Sequence, residues 1–318
     1  MLPLAPTVKP QLALSRKQLP VGEDYVYEVK LDGFRCLAFV DGDDIFLQSR
    51  NGKPLGRYFP ELALPPGRYV LDGEIVVRDG RGREDFDALG QRIHPAVSRV
   101  ERLASETPAV YVAFDLLARD DDALLERPFS QRRSELERLL ADERFRDAPV
   151  ELMGTTASVE HAKGWLEHAE GAIAKERSAP YRPGERKGMA KVKRVRTIDA
   201  VVVGWRPGKE PDTVGALILG LYDGDELRVV GHCSGLTAAE KRRLVGFLAA
   251  YESGERGSAD PSRWSAGKDL EWVALRPELV VEIDFDHVAA GRIRHGAKLR
   301  RWREDKPARE CLFEQLSG

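Results

Sequence analysis

Cysteine is scarce in this 318-residue chain, with Cys36, Cys233 and Cys311 the only three. That is too few for a disulfide framework, and no two stand close enough in sequence to form a zinc-ligand pair, so all three read as reduced, buried thiols. The histidines at 94, 161, 168, 232, 287 and 295 show no metal-ligand spacing either, and no catalytic role is expected of them. Long hydrophobic runs are missing. The longest nearly uninterrupted apolar stretch, Val214 to Tyr222, falls far short of the roughly 18 to 20 residues of a spanning helix, and the first twenty residues carry four prolines and no apolar signal core. A cytoplasmic protein that avoids the membrane is the expectation. No internal repeat or low-complexity tract occurs, and no sign of charge dominates: 50 basic against 52 acidic residues give a net charge of -2, which predicts no general attraction to polyanions.

What is present describes an ordinary globular chain. Apolar residues make up 42% and charged residues 32%, with a mean hydropathy of -0.40, which excludes wholesale disorder and a collagen-like fibre and fits about two domains. The balanced charge hides segregation. Residues 182 to 196 hold seven basic residues against one acid, Glu185, a balance of +6, and residues 292 to 306 hold seven against Glu304 and Asp305, a balance of +5. One such window usually marks a solvated face, whereas two in an acidic chain point to a localised phosphate-binding surface.

The first half reads as short strands between turn signals: Tyr25 to Val29, Arg35 to Val40, an Asp41-Gly42 turn, Ile45 to Ser49, Tyr69 to Val77, Val110 to Leu117 and Gly171 to Lys175. Helical spacing puts Phe86, Leu89 and Ile93 on one face, Leu136, Leu139 and Leu140 on another, and Val159, Ala162, Leu166 and Ala169 on a third, with Ser130 and Ser158 as N-caps of the last two. Beyond Ile198 closely spaced strands take over: Ile198 to Trp205, Val214 to Tyr222, Glu226 to Cys233, Glu271 to Ala274 and Leu279 to Phe285. One helix interrupts them, opened by a capping box of Thr237 and Glu240 and striped by Leu244, Phe247, Leu248 and Tyr251. The Gly/Ser/Pro-rich stretch from Glu252 to Lys268 reads as a flexible connector in preference to a DNA-contacting loop. Five or so strands around one helix suit a small Greek-key barrel of the OB type, with a boundary near Arg196.

Chemistry concentrates at Glu28-Val29-Lys30-Leu31-Asp32-Gly33-Phe34-Arg35, where one tight bend carries an amine, a carboxylate and a guanidinium. An amine attacks phosphorus only when neutral, and an unperturbed lysine, with a pKa of about 10.4, is neutral in about one molecule in a thousand near pH 7.4. Burial and neighbouring positive charge from Lys191, Lys193 or a bound divalent metal can tune such an amine. Taken alone, the hexapeptide from Lys30 to Arg35 also fits a salt-bridged hairpin turn. Likewise Phe114 and Trp302 read alone as core aromatics, Glu74, Glu170 and Arg50 as surface charges, and Asp284 with Asp286 as an exposed strand face.

Further pieces follow in order: Ser49-Arg50-Asn51-Gly52, Leu71-Asp72-Gly73-Glu74-Ile75, Ala113-Phe114-Asp115-Leu116-Leu117, Glu170-Gly171-Ala172-Ile173-Ala174-Lys175, Met189-Ala190-Lys191-Val192-Lys193 and Arg301-Trp302-Arg303-Glu304-Asp305-Lys306. From about residue 20 to the C-terminus this ordered series resembles the nucleotidyltransferase motifs of the ATP-dependent DNA ligases, most closely the stand-alone bacterial ligase C type and the ligase module of bacterial ligase D. Two alanines, Ala172 and Ala174, stand where that family usually carries bulkier apolar residues. The resemblance implies an α+β chain: an ATP-grasp-like nucleotidyltransferase (adenylation) domain of antiparallel sheets and helices over residues 1–196, then a β-barrel OB-fold domain over 197–318.

It also implies roles. Lys30 attacks the α-phosphate of ATP to form lysyl-AMP, and Asp32 orients the lysine or holds a metal-bound water. Arg35 and Arg50 contact the ribose, the AMP phosphate or the 5′-phosphate at a nick. Glu74 holds the ribose hydroxyls, Glu28 meets the adenine edge and Phe114 stacks on the base. Glu170 binds Mg²⁺ or Mn²⁺, Lys191 and Lys193 clamp the α-phosphate, and Arg303, Asp305 and Lys306 help expel pyrophosphate as the barrel domain closes on ATP. The cysteine tetrad and nicotinamide-binding segment of NAD-dependent ligases are missing from this sequence, as are a large N-terminal DNA-binding domain and any appended polymerase or nuclease, so ATP is the implied cofactor. Nicked double-stranded DNA is the implied substrate of an expected monomer, acting in DNA repair with other repair proteins in a bacterial, nucleoid-associated setting. Alternatives are an RNA capping guanylyltransferase, which shares the lysine chemistry, and a catalytically inactive nucleic-acid-binding protein.

Overall fold

Residues 1–257, 271–286, 288–289, 291–294 and 296–317 are described by the computed structural model. The chain divides into two units, Met1–Arg194 and Val195–Gly318.

Two sheets build the first unit. In the larger, Asp44–Ser49, Phe34–Gly42, Gly67–Val77, Ala109–Arg119 and Asp122–Ala123 follow one another in antiparallel order, and Val150–Leu152 pairs parallel to Ala109–Arg119. One face buries Ala38, Val40, Leu71, Ile75, Tyr111 and their neighbours beneath the helix Phe129–Leu140, whose Leu136 and Leu139 enter the same core. The smaller sheet runs in the order Leu14–Ser15, Met189–Lys193, Gly171–Glu176, Tyr25–Val29 and Thr155–Thr156. Ala172 and Ala174 are fully buried in it, against Tyr27, Val192 and Ala162 of the helix Val159–His168. Small side chains on that face leave room for the helix to pack on the sheet.

Three expectations fail here for local reasons. Ser130 is not an N-cap: the helix begins at Phe129 after Pro128, and its first donors are satisfied by carbonyls of another segment, Phe129 N–H donating to Ala179 at 2.9 Å and Ser130 N–H to Arg177 at 3.0 Å. Ile93 does not share a helical face with Phe86 and Leu89, because that helix, capped by Asp85, stops at Gln91 and leaves Ile93 exposed. The stretch from Glu252 is not merely a connector, since Glu252–Gly257 forms an edge strand on Trp272–Leu275. The remainder of that stretch, with His287 and His295, lies outside the described residues. Ser158 does cap its helix, accepting from His161 N–H.

In the second unit the long strand Arg196–Pro207 organises the sheet. Its first half pairs with Val280–Phe285, its second half with Trp272–Leu275, and its other edge with Val214–Asp223, which in turn carries Glu226–Cys233. In its pairing with Val214–Asp223 a register shift falls between Val202 and Gly204, where the opposite edge changes partner, and such irregularities curl a sheet toward a barrel. Lys298–Trp302 pairs with the outer edge of Val280–Phe285. The helix Ala238–Ala249 opens with both bonds of the Thr237/Glu240 capping box and buries Leu244 and Leu248 in the core. Among the described residues no helix is long and apolar enough to cross a membrane, and all three cysteines are free and buried.

Candidate active site

Strand alternation arranges the site. Ile173 pairs with both Glu28 and Lys191, and Gly171 with Lys193. Because successive side chains point to opposite faces, Glu28, Ile173, Lys175, Lys191 and Lys193 project from the same face of the smaller sheet. Lys30 follows directly, its N–H donating to the Gly171 carbonyl at 2.9 Å, while Arg194 N–H donates to the Glu170 carbonyl at 3.0 Å. Three chain segments are thereby tied at one end of the sheet, where Lys30 Nζ lies 3.3 Å and Lys193 Nζ 3.6 Å from Glu170 Oε1. Glycine is required at 171, since a Cβ there would strike the Val192 carbonyl. It is required again at 33, where a Cβ would strike the Ile75 carbonyl and stand 2.7 Å from Glu74 Cγ. The bend after Lys30 thus rests directly on the strand bearing Glu74.

Positive charge crowds this end of the sheet. Lys191 is held below the usual lysine range, by burial first and then by Lys193, Lys30, Arg50 and Arg186. Arg50, though exposed, therefore belongs to the field of the cluster. The Glu74 carboxyl is pushed up to about 7 by burial, with Asp72 and Asp32 adding to the rise and Arg35 and Lys30 opposing it. Glu170 thus touches two ammonium groups, while Lys30, Asp32 and Glu74 lie within electrostatic reach of one another.

Glu28, Arg35 and Phe114 belong to an adjoining buried network. Glu28, 2% exposed, is paired with Lys175 at 2.8 Å, and burial raises its carboxyl above the ordinary range despite that lysine. Lys175 Nζ also sits 4.4 Å from the centre of the Phe114 ring and donates to the Phe114 carbonyl at 3.3 Å. The Arg35 guanidinium lies 4.4 Å from the same ring centre and grips Asp72 with Nε at 2.6 Å and Nη2 at 2.7 Å. Burial works against the charge of Arg35, and Asp72 more than offsets it. Asp72 is completely buried and also accepts from the Tyr181 hydroxyl at 2.6 Å, which itself accepts from Gln11 N–H at 2.8 Å. Arg35 Nε and Nη2 carry its hydrogen bonds among the described residues, and Nη1 makes none there.

The second unit gathers the last motif around one carboxylate. Arg303 Nη1 donates to Asp199 Oδ1 at 2.9 Å and Oδ2 at 3.0 Å, Lys306 Nζ donates to Asp199 Oδ2 at 3.0 Å, and Arg303 Nε and Nη2 each donate to Asp305 at 2.8 Å. Arg303 holds the Asp305 carboxyl down at about 2. Asp284 is partly exposed and bound by Arg300 at 3.4 Å and Thr197 at 3.2 Å, as befits a strand-face residue.

Four residues of these networks escape the sequence reading. Lys175 was within reach, since it stands two positions after Ile173 on the face that bears Glu28. Asp72 and Asp199 are single carboxylates inside apolar strands, which burial tolerates only when they are paired. Tyr181, between Pro180 and Arg182, carries no signal of its own.

Lysine, carboxylate and cation cluster in a two-sheet domain, followed by an OB-type barrel, define a nucleotidyltransferase. Residues 6–193 match the ATP dependent DNA ligase domain, and residues 210–306 match the ATP dependent DNA ligase C terminal region. Among similar proteins, DNA ligase C1 of Mycolicibacterium smegmatis is 44% identical over 99% of this chain and 95% of its own length, and DNA ligase C of Mycobacterium tuberculosis 42% identical over 99% and 95%. A solved structure of mycobacterial DNA ligase D complexed with ATP and MES is 27% identical, covers 96% of this chain and 98% of its own, and superposes with a TM-score of 0.53. The chain belongs to the ATP-dependent DNA ligases. It is an enzyme that seals nicks in DNA with ATP as cofactor.

Proposed function

We propose that Lys30 is the nucleophile and that the residues around it act as the sequence motifs imply. The observation that carries this reading is the Lys30 amine 3.3 Å from Glu170, beside Lys191, Lys193 and Arg50. In the first step neutral Nζ attacks the α-phosphorus of ATP, the nitrogen–phosphorus bond forms, the bond to pyrophosphate breaks, and Nζ gives up a proton. Lys191 and Lys193 bind the α-phosphate, which suits a cluster whose cations outnumber its carboxylates. Asp32 orients the amine, Glu74 takes the ribose hydroxyls, Glu28 meets the adenine edge and Phe114 stacks on the base. Arg50 and Arg35 contact the ribose, the AMP phosphate or the 5′-phosphate of the nick. AMP then passes from Lys30 to that 5′-phosphate, and the neighbouring 3′-hydroxyl displaces it.

Among the described residues no three His, Cys, Asp or Glu side chains gather as a metal-binding group. Glu170 supplies one hard oxygen beside the phosphate site, which fits Mg²⁺ or Mn²⁺ held by a carboxylate together with phosphate oxygens and water. When bound, such an ion would be held by Glu170 and would offset charge on the phosphates.

Residues 1–196 serve as the adenylation domain and 197–318 as the OB-fold domain, with Arg303, Asp305 and Lys306 assisting the loss of pyrophosphate. The setting we favour is a monomer in a bacterial cytoplasm, associated with the nucleoid and working in DNA repair with other repair proteins. Parallel incubation with labelled ATP and GTP tests the nucleotide assignment. Label retained from ATP supports it, label retained only from GTP points to a capping guanylyltransferase, and none from either points to an inactive binding protein.

A further inference from the structure

The geometry points to Asp199 as the positioning residue that holds Arg303 and Lys306 ready for the ATP-dependent step, an inference resting on the proposed role of those two cations in expelling pyrophosphate. Asp199 stands on the strand Arg196–Pro207 directly opposite Glu282. Like charges directly opposite one another destabilise a sheet, so the pair persists only with cations on both sides. The basic segment is divided between them: Glu282 takes Arg300 at 3.0 Å and Arg301 at 2.5 Å, while Asp199 takes Arg303 and Lys306.

Asp199 is itself fixed. Its backbone N–H donates to Gln315 Oε1 at 3.3 Å and its carbonyl accepts from Gln315 Nε2 at 3.4 Å. Asp305 also binds Arg303, but it is 67% exposed and its pair is screened by water, whereas Asp199 is 13% exposed. With both carboxylates in place the guanidinium is gripped on separate nitrogens, and Lys306 spends one of its three N–H donors on Asp199. Without Asp199, two neighbouring cations lose the charge between them and separate, and a polyphosphate must then order them itself.

The test separates two steps in the full-length protein with Mg²⁺: AMP transfer from ATP to Lys30 without DNA, and sealing of a nick whose 5′-phosphate already carries AMP. Asp199→Asn removes one of two opposed charges, and a thermal unfolding midpoint checks its folding. The expected result is a tenfold or larger fall in AMP transfer, with a raised KM for ATP and sealing of the pre-adenylated nick changed less than threefold. Asp199→Glu recovers part of the loss, and Glu282→Gln, on the facing strand, adenylates as wild type. AMP transfer at the wild-type rate in Asp199→Asn, alongside a loss in Arg303→Ala, overturns the role of Asp199 alone. A wild-type rate in Arg303→Ala overturns the underlying reading of Arg303 and this proposal with it. Equal falls in both steps assign Asp199 to fold maintenance and also overturn it.

Discussion

Lys30 and Glu74 show how opposed demands meet where a bend rests on a strand. The Lys30 amine rests against Glu170, while Glu74, a few ångströms from Gly33 of the same bend, pays for its burial with a carboxyl raised to about 7. A carboxyl raised on folding keeps a proton that the unfolded chain has already released, so stability falls as pH rises from about 4.5 to 7. That cost reaches at most about 3 kcal/mol. Glu74→Gln therefore gains unfolding midpoint relative to wild type at pH 8 compared with pH 5, in the absence of nucleotide. An unchanged difference between the two pH values contradicts the assignment. A second residue-scale expectation concerns Tyr181→Phe, which deletes the hydroxyl on Asp72 without changing shape. Leaving that buried carboxylate one donor short costs about 1–3 kcal/mol of stability, read by chemical denaturation.

Elements were legible in the sequence where local chemistry decides them. Tyr25–Val29 and Glu226–Cys233 form strands over the bounds their alternation and turns suggest, and the Thr237/Glu240 box and the Ser158 cap make the bonds their spacing predicts. Elements were illegible where distant partners decide them. Phe129–Leu140 begins just after Pro128 because the Arg177 and Ala179 carbonyls meet its first donors, and Glu252–Gly257, polar and without an apolar face, becomes a strand because Trp272–Leu275 offers an edge. Removing the Ser158 cap by Ser158→Ala is expected to cost about 1 kcal/mol by chemical denaturation. Gly33→Ala should cost more, beyond about 2 kcal/mol, because its Cβ meets backbone that has no room to yield.

For the whole molecule, the ordered motifs pointed to residues that the structure brings together around Lys30 and around Arg303, but not to their partners. Lys175, Asp72, Tyr181 and Asp199 act through pairings across sheets and long chain separations, which a linear reading does not display. The basic windows also change meaning in three dimensions. Arg300 and Arg301 are bound by Glu282, and Arg182 by Glu126 at 2.8 Å, so part of each window is already neutralised. DNA affinity should still fall as salt rises, because each phosphate contact made by the remaining cations releases counterions. An affinity unchanged between 50 and 200 mM salt, on the order of the range where such contacts lose strength, contradicts that footprint. The most direct test of the account is the mass of the protein after incubation with ATP and Mg²⁺, followed by peptide mapping. A gain of one AMP on the peptide carrying Lys30, abolished by Lys30→Ala, is the predicted result; an AMP found on another residue, or retained by Lys30→Ala, contradicts it.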